Sequence, residues 1–370
     1  MSRKYEDELG LIVMSNCKDF GDSIDKAIMK KRKTKKSFQI PVEEVRFNNG
    51  EGKVVIKDQV RDKDLYIISD VGNHSMTYKM YGYDNHMSPD DHYQDIKRVI
   101  CAARGQADRI NIVMPLLYES RQHRRKGRES LDCAVALQEL QELGVKNIIT
   151  FDAHDINIQN AIPTNMSFEN FFPSHTILES FIKNEDFDVK DVIFIGPDTG
   201  AVDRARYYAN LFDANVGIFH KRRDLTKIVD GKNPIIAHEF LGGDLKDKTA
   251  IVIDDMIASG SSILEVAREI KKRGAKKIYL IASFSMFTNG IEVFDEAYKD
   301  KYFDSIYSTN LTYVNKEALK KPWFKQVDCS SFAAEIIDTL NTSSYISKLK
   351  NGKQKILDML EMKKNGELWC

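Results

Sequence analysis

Long hydrophobic runs are missing from this 370-residue sequence. The apolar LIVM that follows MSRKYEDELG is far too short for a signal or membrane-spanning segment, which argues against a membrane role. A charge excess is missing as well. Lysine plus arginine number 55 and aspartate plus glutamate 55, so no global field draws the chain to nucleic acid or to an anionic membrane, and any basic site has to be local. Cysteine is sparse and scattered. The residues at 17, 101, 133, 329 and 370 form no CxxC pair and have no histidine-rich companion spacing, so neither a disulfide framework nor a zinc site is indicated and a reducing cytoplasm is expected. Short-period repeats are absent, as are GxxxxGK[ST] and GxGxxG, which disfavours a P-loop kinase and a dinucleotide enzyme.

What is present fits a soluble globular protein, with 42% hydrophobic and 30% charged residues. Single cores stop growing near ~250 to 300 residues, so two domains are expected. Short apolar runs recur: LYIIS (65–69), INIVM (110–114), NIITF (147–151), VIFIG (192–196), VGIF (216–219), AIVI (250–253) and KIYLIASF (277–284). Between them the segments 91–104, 130–143, 201–212 and 262–273 place apolar residues at helical spacing. This alternation predicts an α/β fold with mainly parallel sheets and crossover helices. Gly105, Gly144 and Gly274 each follow a helical segment and precede an apolar run, as left-handed helix caps do. The alternation breaks at TNMSFENFFP, which places the domain boundary near residue 165. Domains of 1–165 and 166–349 are expected, with a charged amphipathic helical tail over 350–370.

Two basic clusters stand out. KKRKTKK (30–36) reads as a solvated helix end, given the zero net charge. RQHRRKGR (121–128) follows a strand, and ligands of open α/β sheets bind at the carboxyl ends of strands, so these arginines are placed to meet an anion.

The segment IVIDDMIASGSSI (251–263) carries the clearest chemistry. It joins a buried strand to a helix through two carboxylates and a run of small residues. Asp254 and Asp255 can accept hydrogen bonds from the vicinal hydroxyls of a ribose. Ser259, Gly260, Ser261 and Ser262 let backbone N–H groups approach a phosphate at the helix amino terminus, where the macrodipole favours an anion, and the serines add hydroxyl donors. A blander role is available for part of it: Ser262 with Glu265 would make a capping box.

This loop resembles the phosphoribosyl-pyrophosphate (PRPP) motif of type I phosphoribosyltransferases and of ribose-phosphate pyrophosphokinases, the PRPP synthetases. Further stretches favour the second family: RFNNGE from Arg46, PLLYESRQHRRKGRESL from Pro115, FDAHDINIQNAIP (151–163), GPDTGAVDRARYYA (196–209) and HKRRDLT (220–226). The resemblance runs from about Leu11 to Leu349. It implies two phosphoribosyltransferase-like α/β domains, active sites between domains and between subunits of a homo-oligomer, and transfer of a diphosphoryl group from Mg·ATP to ribose 5-phosphate. On this resemblance Phe47, Asn49, Glu51, Arg121 and Gln122 meet ATP, with the first three serving a neighbouring subunit. His154 and Asp198 manage Mg²⁺, Lys221 and Arg223 close over the transferring group, and the 254–262 loop holds ribose 5-phosphate. If the 220–226 stretch is extended, Lys221 and Arg223 project to the same side.

Departures mark a divergent member. Ala258 stands where the family usually has aspartate, His123 where it typically has aspartate, and Ala153 where it has leucine. Two alternatives stay open at this point: a phosphoribosyltransferase that consumes PRPP, and a regulatory homologue that binds nucleotides without turning them over.

Overall fold

The computed structural model describes residues 8–103, 105–125, 127–223, 235–345 and 352–367, with the side chains of 221–223 and 235–238 outside that description. The chain forms two compact units.

The first unit opens with β1 (Leu9–Val13), α1 (Lys18–Lys31), the antiparallel pair β2 (Val42–Arg46) and β3 (Gly52–Ile56), and β4 (Asp64–Ile68). A second antiparallel pair follows, β5 (Thr77–Met80) and β6 (Tyr83–His86), then α2 (Pro89–Ala103), β7 (Arg109–Val113), α3 (Asp132–Glu142), β8 (Asn147–Phe151) and β9 (Ser167–Phe171). Its main sheet has the order β1-β4-β7-β8-β9 and every pairing is parallel. All five residues of β4 are buried, as a strand covered on both faces requires.

The second unit contains α4 (Ser174–Asn184), β10 (Val192–Gly196), α5 (Val202–Phe212), β11 (Asn215–Arg223), β12 (Ile235–Leu241), β13 (Thr249–Ile257), α6 (Ser261–Lys272), β14 (Lys277–Ser285), α7 (Glu292–Lys299), β15 (Ser305–Thr309) and β16 (Phe324–Val327). Its sheet has the order β12-β11-β10-β13-β14-β15-β16, parallel except for the β11–β12 pair at one edge. Alternate residues of β13 feed two cores. Ala250 and Val252 pack with Ile263, Val266 and Ile270 of α6, whereas Ile251 and Ile253 pack with the helices of the opposite face.

The α/β class with mainly parallel sheets agrees with the sequence, but the linear division at residue 165 does not describe the compact units. TNMSFENFFP is no break, because Ser167–Phe171 forms β9 at the sheet edge, where it bonds in register to β8. The chain also returns. Residues 310–313 belong to the first unit, as does α8 (Ser330–Asn341), which packs on α1 through Arg32 Nε to Asp338 Oδ1 at 2.7 Å. The tail is likewise no appendage. As α9 (Gly352–Lys364) it lies on α4, burying Ile356, Met359 and Leu360, with Lys355 Nζ 2.6 Å from Glu179.

Candidate active site

In the second unit Asp198, Asp254, Asp255 and the 259–262 loop gather at the carboxyl ends of two adjacent strands, β10 and β13. β13 runs further than the apolar AIVI suggests and carries both aspartates within it. Asp255 is buried and Asp254 half-buried. Burial, followed by the neighbouring Asp255 charge, pushes the Asp254 carboxyl well up, while the Arg204 guanidinium from the first turn of α5 opposes this. Sequence reasoning did not single out Arg204. Its only signal is its place in GPDTGAVDRARYYA, eight residues beyond the end of β10.

Asp198 follows β10, and its Oδ1 accepts from the backbone N–H groups of Gly200 and Ala201 at 2.9 and 3.2 Å. One carboxylate oxygen therefore caps the short turn that leads into α5. The residue is exposed.

The small-residue loop turns sharply into α6. The cap position is Gly260, with φ of 84° and no side-chain cap, so the capping box expected of Ser262 with Glu265 is not the start of this helix. The left-handed backbone at Gly260 brings the helix in two residues earlier than a cap at Ser262 would, at Ser261. Ser259 Oγ lies 3.0 Å from Ser261 Oγ, and both Ser261 and Ser262 are exposed at the helix amino terminus. Hydroxyls and first-turn N–H groups thus share one end of α6, an arrangement suited to a phosphate.

In the first unit Arg121, Gln122 and His123 follow β7 and His154 follows β8, its neighbour in the sheet. The structure brings these two motifs together: the His123 and His154 rings are 5.4 Å apart, and His123 Nε2 is 3.2 Å from Asp155 Oδ2. Gln122 donates from Nε2 to the Ser130 carbonyl at 2.8 Å, while Arg121 and His154 are exposed. Among the described residues no group of three or more His, Cys, Asp or Glu side chains could hold a metal ion.

Phe47, Asn49 and Glu51 sit together on the turn between β2 and β3. Gly50, with φ of 91°, completes a three-residue loop closed by Phe47 N–H to Glu51 O and Gly50 N–H to Phe47 O at 2.8 and 2.9 Å. Asn49 Nδ2 donates to Glu51 Oε2 at 2.9 Å, and Phe47 is 45% exposed. Lys221 and Arg223 lie on β11, so the backbone there is extended as expected. The pairing with β12 shifts between Arg222 and Arg223, where Arg222 pairs with residue 237 and Arg223 with residue 235, so the extra residue belongs to β12; the side chains of Lys221 and Arg223 lie outside the described residues.

Two family models match the chain in succession. The N-terminal domain of ribose phosphate pyrophosphokinase matches residues 9–144, and the phosphoribosyl transferase domain matches 176–316. Similar curated proteins include the ribose-phosphate pyrophosphokinase of Mycoplasmopsis pulmonis, 28% identical over 82% of this chain and 86% of that protein. Ribose-phosphate pyrophosphokinase 2 of Schizosaccharomyces pombe is 27% identical over 82% and 88%. Among solved structures, phosphoribosylpyrophosphate synthetase from Mycobacterium smegmatis superposes with a TM-score of 0.74 at 18% identity, covering 91% of this chain and all of that one, which speaks to the fold.

Proposed function

Because the chain belongs to the ribose-phosphate pyrophosphokinase family, we propose that it transfers the β,γ-diphosphoryl group of ATP to the 1-hydroxyl of ribose 5-phosphate, giving PRPP and AMP. The 1-oxygen forms a bond to the β-phosphorus as the bond from that phosphorus to the α,β-bridging oxygen breaks, and the hydroxyl proton is released. The observation that supports the reading is the joint presence of paired aspartates beside a small-residue helix start in one unit and a separate Arg–Gln–His cluster in the other. A phosphoribosyltransferase needs only the first.

Each residue set then has a physical task. Asp254 and Asp255 accept from the ribose 2- and 3-hydroxyls, while Ser259, Gly260, Ser261 and Ser262 at the start of α6 receive the 5-phosphate. Arg121 and Gln122 bind the donor nucleotide, the guanidinium through phosphate or base and the amide through the adenine edge. Phe47 offers a ring face to the base, with Asn49 and Glu51 as polar partners, and assembly into a homo-oligomer belongs to this reading. Lys221 and Arg223 stabilise charge that shifts toward the transition state. His154 and Asp198, each exposed in its own unit, are the residues that would meet magnesium arriving on ATP, an ion that keeps much of its water. Such a cation would neutralise phosphate charge during transfer.

One assay tests the proposal. Purified protein is incubated with ATP, Mg²⁺ and ribose 5-phosphate, and AMP and PRPP are followed together. Equal accumulation of the two is expected. PRPP consumption that depends on a nucleobase and ignores ATP would replace the reading with a transferase, and no product under varied phosphate and metal would overturn it.

A further inference from the structure

The pair β5 and β6 is an isolated antiparallel hairpin, outside the main sheet. Two-stranded hairpins are marginal in water by themselves, and this one buries little: no residue of either strand is classed as buried, and Tyr81 and Tyr83 are 75% and 76% exposed. Its two-residue turn, Tyr81–Gly82, has φ of 48° and 85°, the left-handed pair of a type I′ turn. Asparagine is the favoured first residue there, and a bulky tyrosine at positive φ is strained. Something outside the hairpin therefore has to hold it.

Three contacts do so, and all three reach the Arg46–Glu51 turn. Tyr81 donates its backbone N–H to the Asn48 carbonyl at 3.0 Å. The Met80 thioether closes over Gly50, where an added Cβ would come within 2.7 Å of the sulfur. The Arg46 guanidinium sits 5.2 Å from the centroid of the Tyr78 ring. Arg46 is itself anchored from the other side, with Nη2 2.6 Å from Asp95 Oδ2 and Nη1 3.7 Å from Asp91 Oδ1 on α2. The turn is clamped between a helix and a hairpin.

We infer that the β5–β6 hairpin is a positioning element for nucleotide binding, holding the 46–51 turn so that Phe47, Asn49 and Glu51 present a fixed surface to the donor base. The inference rests on the reading of that turn as the ATP side of the site. Tyr78 and Tyr81 act through the turn rather than on the reacting atoms. Ordering is reciprocal, because contacts that fix the turn also fix the hairpin, so a ligand on one protects the other.

The test compares steady-state kinetics of the full chain with three substitutions and one replacement. Exchanging residues 77–86 for Gly-Ser-Gly is expected to raise KM for ATP about tenfold while KM for ribose 5-phosphate stays within about twofold. Should that variant misfold, Tyr78→Leu is expected to raise KM for ATP roughly threefold, and Tyr78→Phe, which keeps the ring face, to restore it. Phe47→Ala checks the underlying reading and is expected to raise KM for ATP. If Phe47→Ala raises KM and Tyr78→Leu does not, the hairpin inference fails and the ATP reading stands. If Phe47→Ala leaves KM for ATP unchanged, the reading and the inference fall together.

Discussion

At Gly260 two independent constraints meet. Its φ of 84° lies in the left-handed region, and a Cβ added there would fall 2.1 Å from Phe294 Cζ, a ring wholly buried in the core. Gly260→Ala therefore combines backbone strain with overpacking, and a stability loss of about 2–4 kcal/mol is expected by urea unfolding, together with a raised KM for ribose 5-phosphate. A change under about 0.5 kcal/mol would mean that Phe294 yields freely. Asp254 and Asp255 stand out in the sequence because paired carboxylates at the end of an apolar run have few structural uses. The sequence concealed the cap, since Ser262 and Glu265 spell a capping box and the ring that fixes Gly260 comes 34 residues later, counting 294 minus 260. Arg204 was hidden for a related reason: a helical arginine gains meaning only from the strand end it faces.

Among elements, legibility followed burial. NIITF and VIFIG form β8 and β10 residue for residue, because strands buried on both faces read as unbroken apolar runs. Gly105, Gly144 and Gly274 all take positive φ, as the helix-end pattern required. The hairpins and β9 escaped because their residues are half-exposed and their order comes from neighbours rather than from composition. The tail helix α9 was visible as amphipathic, but only packing shows which residues matter. Leu360 is 4% exposed and Met362 40% exposed. Leu360→Ala is expected to destabilise the protein by about 2–4 kcal/mol and Met362→Ala by less than about 0.5, measured by urea midpoint. Equal effects would place α9 off the core.

For the whole molecule, Asp70 shows how distant segments are tied. It lies just after β4 and accepts from Thr312 Oγ1 at 2.9 Å, Tyr313 N–H at 2.7 Å and Gly72 N–H at 2.9 Å. Burial pushes its carboxyl up to about 6, against those hydrogen bonds, which favour the ionised form. In the unfolded chain an aspartate titrates near ~3.9, so between about 4 and 6 the native state binds more protons than the unfolded state. This group's contribution is therefore fully present below about pH 4 and falls as pH rises toward 6, by roughly 3 kcal/mol, with no further change above. Urea midpoints at pH 4.5 and 7 should show wild type losing stability relative to Asp70→Asn over that interval, and parallel behaviour of the two would refute the assignment. The interleaving that Asp70 helps to secure could not be read from sequence, because a return of the chain to an earlier unit leaves no local mark.

That return also sets the order of events at the ribosome. α1 waits for α8, whose Asp338 stands 306 positions beyond Arg32 in the chain. At about 5 to 20 residues per second, synthesis leaves the amino-terminal unit without its last helix for roughly 15 to 60 s. During that interval the face of α1 that α8 will cover is open to chaperones and to other nascent chains, and the first unit made is among the last to be finished.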